Sequence, residues 1–314
     1  MNKAAERASE YWAIDRSVAE TGERPRSWLQ HPTMLEFVNR RVSGDPKVPT
    51  LVWFRNKYFP QPVDLALSLG CGFGGFERFG LRAGVAKRFV ASDLSEGAIA
   101  KARESAAQMN MADRIDYSVV NLDECTLPAA AYDAVFMVSA AHHVFRLENL
   151  FRQCRKALKP GGLLFLDEYI GPSRFQSTPE VTGLINKLRD ILPEKYRKSL
   201  FTEDGSLIRP YAPSPPEHFE KHDPSEAVRS GEIVTTLKMY FDILEFRPYG
   251  GAILHMLFSG IMGNFNEHNE TDVALLRTIA TFEEVMEGAG LIGSDFAAIV
   301  AKPKQVVGEL AEYA

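Results

Sequence analysis

Long apolar runs are missing from this chain. No stretch approaches the ~18 residues that a helical membrane span needs, so a membrane partner is not expected. Cysteine is scarce, with only Cys71, Cys125 and Cys154 in 314 residues. A disulfide framework is therefore excluded, and the cytoplasm is the expected compartment. Basic residues are not in excess: 36 Lys and Arg stand against 41 Asp and Glu, for a formal charge of −5. No basic run is interleaved with aromatics, which argues against nucleic acid as a partner. The first residues carry Glu6, Glu10 and Asp15 and no apolar core, so they do not read as a secretory signal. Internal repeats are absent. What remains is an ordinary soluble composition, 45% hydrophobic and 25% charged, long enough to bury a full core as one large domain.

The organisation follows from periodicity and punctuation. Residues 1–60 read as a helical cap with aromatic anchors (Tyr11, Trp12, Trp28, Trp53, Phe54, Tyr58, Phe59), too small to stand alone. From 61 onward, short apolar runs alternate with helical patterns. Strands are expected near 64–69, 87–92, 114–119, 132–138 and 162–169, and helices near 75–83, 95–109 and 146–158. That alternation indicates a parallel sheet covered on both faces. Residues 172–240 interrupt it, with a helix near 179–191, a proline-rich stretch, and Asp223-Pro224 opening a helix to about Tyr240. A strand at 242–246, an apolar segment at 252–262, a helix at 270–288 and a strand at 296–301 complete the chain, before a loose tail from Val306 to Ala314.

The densest signal is Leu65-Ala66-Leu67-Ser68-Leu69-Gly70-Cys71-Gly72-Phe73-Gly74-Gly75. A buried strand breaks into glycines and hands over to a helix, a turn that lets a ligand approach the backbone. Asp93 stands 21 residues after Gly72, at the end of the next strand, placed to accept hydrogen bonds from a ribose. No Gly-Lys-Ser/Thr follows, so a triphosphate site lacks its lysine. Gly70-x-Gly72-x-x-Gly75 also satisfies the dinucleotide spacing, which leaves NAD open on the glycines alone.

The stretches Asn121-Leu122-Asp123, Tyr132-Asp133-Ala134-Val135-Phe136-Met137-Val138, His142-His143 and Leu158-Lys159-Pro160-Gly161-Gly162 follow in order. With the glycine loop and Asp93, this run resembles class I S-adenosylmethionine-dependent methyltransferases, and more loosely a bacterial small-molecule group of them. The resemblance is specific from about Val63 to Ile170. It implies a Rossmann-like doubly wound α/β sheet of about seven strands with the last antiparallel. The last two strands join that sheet, so 61–314 is one domain with 172–240 as an acceptor-side insertion. The implied cofactor is S-adenosylmethionine, held by Gly70, Cys71, Gly72 and Gly74, with Asp93 on the ribose and Leu94 and Leu122 at the adenine. Asn121 replaces the family's usual aspartate, and its amide oxygen can accept the same hydrogen bond. Met137 and Ser139 are expected to border the sulfonium.

Methyl transfer from a sulfonium needs alignment and exclusion of water, and an oxygen acceptor needs a base. If the backbone at His142-His143 is extended, only one of the two rings faces the pocket. Resemblance makes His143 structural and leaves His142 as the base. Glu168 and Tyr169 close the fifth strand, where the ligand crevice of such sheets lies. Arg174, Arg209, Arg229 and Tyr249 are candidate acceptor anchors. His218 and His222 are four apart, but the surrounding prolines leave little helix and no third ligand is spaced to join them, so no metal is expected. The favoured reading is an enzyme that methylates a hydroxyl of a sugar or secondary metabolite. Two others stand beside it: a non-catalytic cofactor-binding or scaffold module, and an NAD-dependent oxidoreductase.

Overall fold

A computed structural model describes residues 3–11 and 25–305; Trp12, Asp15 and the tail at 306–314 lie outside the described residues. Seven strands form one sheet: β1 Val63–Leu69, β2 Ala86–Asp93, β3 Ile115–Val119, β4 Tyr132–Val138, β5 Leu158–Tyr169, β6 Phe241–Gly250 and β7 Phe296–Pro303. Their spatial order is β3-β2-β1-β4-β5-β7-β6. The first five run parallel, and β7 is antiparallel to both β5 and β6. The chain reverses direction across the sheet at β1/β4, the switch point where open parallel sheets bind ligands.

Two faces of the sheet are packed separately, as the period of two along each strand requires. On one side Ala66, Phe89, Phe136 and Phe165 meet helices α3 (Thr50–Tyr58), α4 (Gly75–Arg82) and α5 (Glu96–Gln108). On the other, Leu67, Val135, Met137 and Leu166 meet α6 (Leu147–Ala157) and α9 (Ile233–Tyr240). A third apolar body joins α2 (Pro32–Ser43), α7 (Pro179–Ile191), α10 (Leu254–Phe258) and α11 (Glu270–Gly288) around Trp28, Tyr169 and Phe296. The N-terminal helices are thus pinned from two sides. Phe54 is fully buried between Phe165, with centroids 4.9 Å apart, and Phe136, at 5.5 Å.

Several boundaries differ from the sequence expectation. The stretch Leu158-Lys159-Pro160-Gly161-Gly162 does not precede β5 as a turn; it is the strand's irregular first part, with a register shift against β4 and Gly161 at φ +81°. No helix opens at Asp223. Its Oδ1 accepts from the Ser225 amide (2.9 Å) and the Ser225 hydroxyl (2.6 Å), Ala227 takes φ +47°, and helix α9 begins only at Ile233. A side chain that bonds its own neighbouring backbone offers the chain an alternative to the helix. β6 ends at Gly250, four residues past its apolar run, because Arg247 and Pro248 stay in register with Ala298 and Ala297.

Phe54 tests how the N-terminal helices are held. Phe54→Ala is expected to cost about 3–5 kcal/mol of unfolding free energy in urea titration. A loss below about 1 kcal/mol would show that these helices do not depend on the sheet face they cover.

Candidate functional site

β1, paired with β2 and β4 on its two sides, ends at Leu69, and Gly70 turns the chain at φ +71°. The amides of Gly70 and Cys71 both donate to the Ser92 carbonyl, at 2.8 and 2.9 Å, which bends the loop back over β2. Gly72 then adopts φ +52° with open space around its missing Cβ. Gly74, at φ +74°, serves a different purpose: a Cβ there would collide with the Tyr117 hydroxyl. One glycine is bare toward a cavity; the other lets the helix settle on β3.

Asp93 ties this loop to the next helix. Its Oδ2 accepts from the Gly72 amide and its Oδ1 from the Ser95 amide, both at 2.9 Å. Burial pushes the Asp93 carboxyl above the usual carboxylate range, and the amide donors act against that rise. Ser95 in turn caps α5 through its hydroxyl, which accepts from Ala98.

Above the loop lies a cavity of about 680 Å³. Gly70, Cys71, Gly72, Asp93, Leu94, Asn121 and Leu122 line it from the ends of β1, β2 and β3. Ser139 and His143, which follow β4, and Ser225 of the insertion line it as well. Asn121 bends its own turn, its Oδ1 accepting from the Asp123 amide at 3.1 Å. Ser139 holds φ +51°, unusual for a side-chain-bearing residue, with its amide bound to the Asp167 carbonyl at 2.9 Å. Over the cavity, helix α1 (Lys3–Tyr11) contributes Ala5, Ala8 and Ser9. The Ser9 hydroxyl donates to the Leu94 carbonyl, and Arg7 donates to the carbonyl of Glu220 in helix α8 (Pro216–Lys221).

Not every expected residue reaches this cavity. Met137 is fully buried in the core on the α6 side, and Val138 takes its place on the wall, as strand alternation demands. Gly74 faces Tyr117 instead of the cavity. The backbone at His142-His143 is a 3-10 turn over Ala141–His143, not extended, so the two rings lie side by side with centroids 4.2 Å apart. His143 lines the cavity, and His142 sits behind it. Glu168 is wholly buried: Oε1 accepts the Ala140 and Ala141 amides, and Oε2 lies 2.8 Å from His142 Nδ1. Tyr169 is also buried, its hydroxyl donating to the Pro172 carbonyl at 2.9 Å.

Burial pushes the His142 imidazole down, but the Glu168 and Glu226 carboxylates outweigh it and the net shift is upward. Burial, then His142 and Arg174, drives His143 well below the usual histidine range. Burial lifts Glu226 to about 7. The result is one imidazole held between carboxylates and a second, neutral one at the cavity. The latter's Nδ1 is 3.1 Å from the Ser225 hydroxyl.

Among the expected acceptor anchors, Arg229 pairs with Glu148 and Glu232, and Tyr249 is buried with its hydroxyl on Asp167. Arg174 donates to the Pro224 and Glu226 carbonyls, both at 2.7 Å. Phe73, Asp123, Phe145 and Ser225 line the cavity although sequence reasoning did not select them. Asp123 was within sight, two positions after Asn121. Ser225 was not, because only the fold brings the insertion to the end of β4.

A family model described as a methyltransferase domain matches residues 67–166. The chain is similar to a ubiquinone biosynthesis O-methyltransferase of Methylocella silvestris, 31% identical over 127 residues, covering 40% of this chain and 45% of the relative. It is also similar to a sterol 24-C-methyltransferase of Saccharomyces cerevisiae, 28% identical over 121 residues, 38% of this chain and 31% of the relative. It thus spans less than half the length of these curated relatives. Among solved structures, the geranyl diphosphate C-methyltransferase from Streptomyces coelicolor in complex with Mg2+, geranyl-S-thiolodiphosphate and S-adenosyl-L-homocysteine superposes with a TM-score of 0.55. That pair is 14% identical, covering 97% of this chain and 99% of the other. The chain has a class I S-adenosylmethionine-dependent methyltransferase fold. Among the described residues no helix is long and apolar enough to cross a membrane.

The Glu168–His142 pair makes a pH-dependent prediction. The folded His142 imidazole is held above the ordinary histidine value of 6.5, so its contribution to stability is full below that pH and fades as pH rises through the folded value. Glu168→Gln replaces an acceptor by an amide donor facing Nδ1–H, at a cost of about 1.5–3 kcal/mol. In urea titrations the deficit should be largest at acid pH and shrink toward about pH 9. An equal deficit at both ends would remove the ion pair from the account.

Proposed function

We propose that this chain is an enzyme that transfers a methyl group from S-adenosylmethionine to a small molecule, with a hydroxyl oxygen of a sugar or secondary metabolite as acceptor. One observation carries the reading: one cavity is lined both by the Asp93–Gly72 clasp and by the polar His143–Ser225 pair. The donor set fits the cofactor. Each Asp93 oxygen uses one lone pair on a backbone amide and has another for a ribose hydroxyl. Leu94 and Leu122 offer apolar surface to an adenine, and Gly72 leaves room for close approach of the backbone. S-adenosylmethionine supplies an already activated methyl group, so the protein's task is alignment and dehydration.

The acceptor wall accounts for the proton that an oxygen acceptor must lose. The Ser225 hydroxyl donates to Asp223 at 2.6 Å. Its oxygen therefore accepts from His143 Nδ1–H at 3.1 Å, which makes Nε2 the basic nitrogen of that ring. His142, Glu168 and Tyr169 act in this reading as positioning residues. Glu168 holds the 3-10 turn by its amides, His142 buttresses His143, and Tyr169 packs beneath His142 with centroids 6.2 Å apart. The relatives' names cover both oxygen and carbon acceptors; the titratable wall favours oxygen.

Asp93→Asn keeps the shape of the clasp and removes its charge. Calorimetry should show S-adenosylmethionine affinity falling about tenfold or more, and unchanged affinity in a folded variant would take Asp93 off the ribose. His143→Ala should lower turnover about 100-fold with cofactor affinity intact, whereas Tyr169→Phe should stay near wild type. The reverse pattern would return the base to the β5 end.

A further inference from the structure

The acceptor wall holds more ligand atoms than a proton path requires. One ring nitrogen of His142, one of His143 and a carboxylate oxygen of Glu226 lie within 4.8 Å of one another. We propose that these three side chains bind a divalent cation of the first-row transition series in a two-histidine, one-carboxylate site beside the cavity that His143 lines. Sequence spacing pointed to no metal here, because Glu226 comes from the insertion, far along the chain from the two histidines.

The surroundings are built as metal-binding histidines require: each ring is oriented by a hydrogen bond from its other nitrogen. Glu168, which already accepts two backbone amides, must also accept from His142 Nδ1–H. That turns His142 Nε2 toward Glu226, whose Oε1 is 3.6 Å away. This separation is long for a hydrogen bond, yet close to the span between two ligands bonded at about 2.0–2.2 Å to one ion. On His143 the outer partner is Ser225, itself fixed by Asp223. Both rings are thereby held as the Nδ1–H tautomer, with Nε2 the coordinating nitrogen.

Charge points the same way. Glu168, Asp223 and Glu226 bring three carboxylates to the cluster, and Arg174, anchored on the Pro224 and Glu226 carbonyls, brings one guanidinium. A dication that displaces the His142 proton, and any proton on Glu226, balances the remainder. Imidazole with carboxylate suits zinc, manganese, cobalt or iron better than calcium or magnesium. His143 and Glu226 are only partly buried, with side chains 20% and 19% exposed, so the ion has a path in and an open coordination position. An acceptor hydroxyl at that position would lose its proton more readily; with His143 Nε2 taken up by the ion, the proton passes to the second Glu226 oxygen, so the loaded site deprotonates by the ion where the empty site uses His143. That use of the ion rests on the methyl-transfer reading; binding of the ion does not.

The test is titration of chelator-stripped full-length protein with Zn2+ by calorimetry, followed by equilibrium dialysis with metal analysis. Wild type should bind one equivalent. Glu226→Gln and His143→Ala should each weaken binding at least tenfold, and Glu168→Gln, which touches only the outer hydrogen bond, should weaken it about tenfold. The double variant His218→Ala, His222→Ala removes the exposed pair, whose rings are 4.5 Å apart, and should bind as wild type does. S-adenosylmethionine affinity and circular dichroism on the same samples establish that each variant is folded. No stoichiometric Zn2+ in wild type, or binding that survives Glu226→Gln and His143→Ala, overturns the proposal. So does binding lost only with His218 and His222. A protein that binds Zn2+ at these residues but shows no methyl transfer would sink the functional reading and leave the site standing.

Discussion

The clasp between Asp93 and the amides of Gly72 and Ser95 is the contact on which the rest of the site depends. A carboxylate that bonds two backbone amides fixes the glycine loop at the end of β1 and the start of α5 with one side chain. It also explains why burial of Asp93 is tolerated, since the amides satisfy it from inside the protein. The parallel sheet makes this possible by ending β1 and β2 at the same level, so that Leu69 pairs with Ser92 and Asp93 follows directly. Where the strands end, backbone, carboxylate and cavity meet.

The cavity wall around His143 and Ser225 is built by a different route. The 172–240 insertion crosses back over the ends of β4 and β5 and is locked there by backbone as well as side chains. The Val228 amide donates to the His142 carbonyl, Arg174 holds the Pro224 and Glu226 carbonyls, and the Ser230 hydroxyl donates to the Gly171 carbonyl. Because one of these bonds joins main chain to main chain and the others fix backbone carbonyls with buried or half-buried side chains, the wall is preorganised rather than gathered around a ligand. The cavity is consequently bounded by the sheet below and a sequence-specific insertion at one side, the division expected when a fixed scaffold carries variable recognition.

Much of the scaffold was legible in the sequence. β1 and β4 were located within one residue, and Asp93 followed from spacing alone, because buried parallel strands are dense apolar runs and the loop needs its glycines. The two histidines show where such reading stops. A 3-10 turn leaves no periodicity in a two-residue motif, so an extended backbone was the natural expectation and put the rings on opposite faces. Met137 failed for a smaller reason: a shift of one residue in a strand exchanges its faces, and Val138 holds the wall. Glu168 looked like an open carboxylate at a strand end and is instead consumed by two amides and an imidazole. Ser225 and Glu226 stand in a stretch that shares the looser family likeness, but nothing in it marked a role for them, because their significance lies in contacts more than 80 residues away, such as that between Ser225 and His143.

The central claim is that this cavity is a cradle for S-adenosylmethionine and not for a dinucleotide, a choice the glycine spacing alone leaves open. Calorimetric titration of the purified chain with S-adenosylmethionine, S-adenosylhomocysteine and NAD decides it directly. The account predicts saturable one-to-one binding of the first two, in competition with each other, and none of the third. Binding of NAD in place of the two sulfur compounds would contradict it.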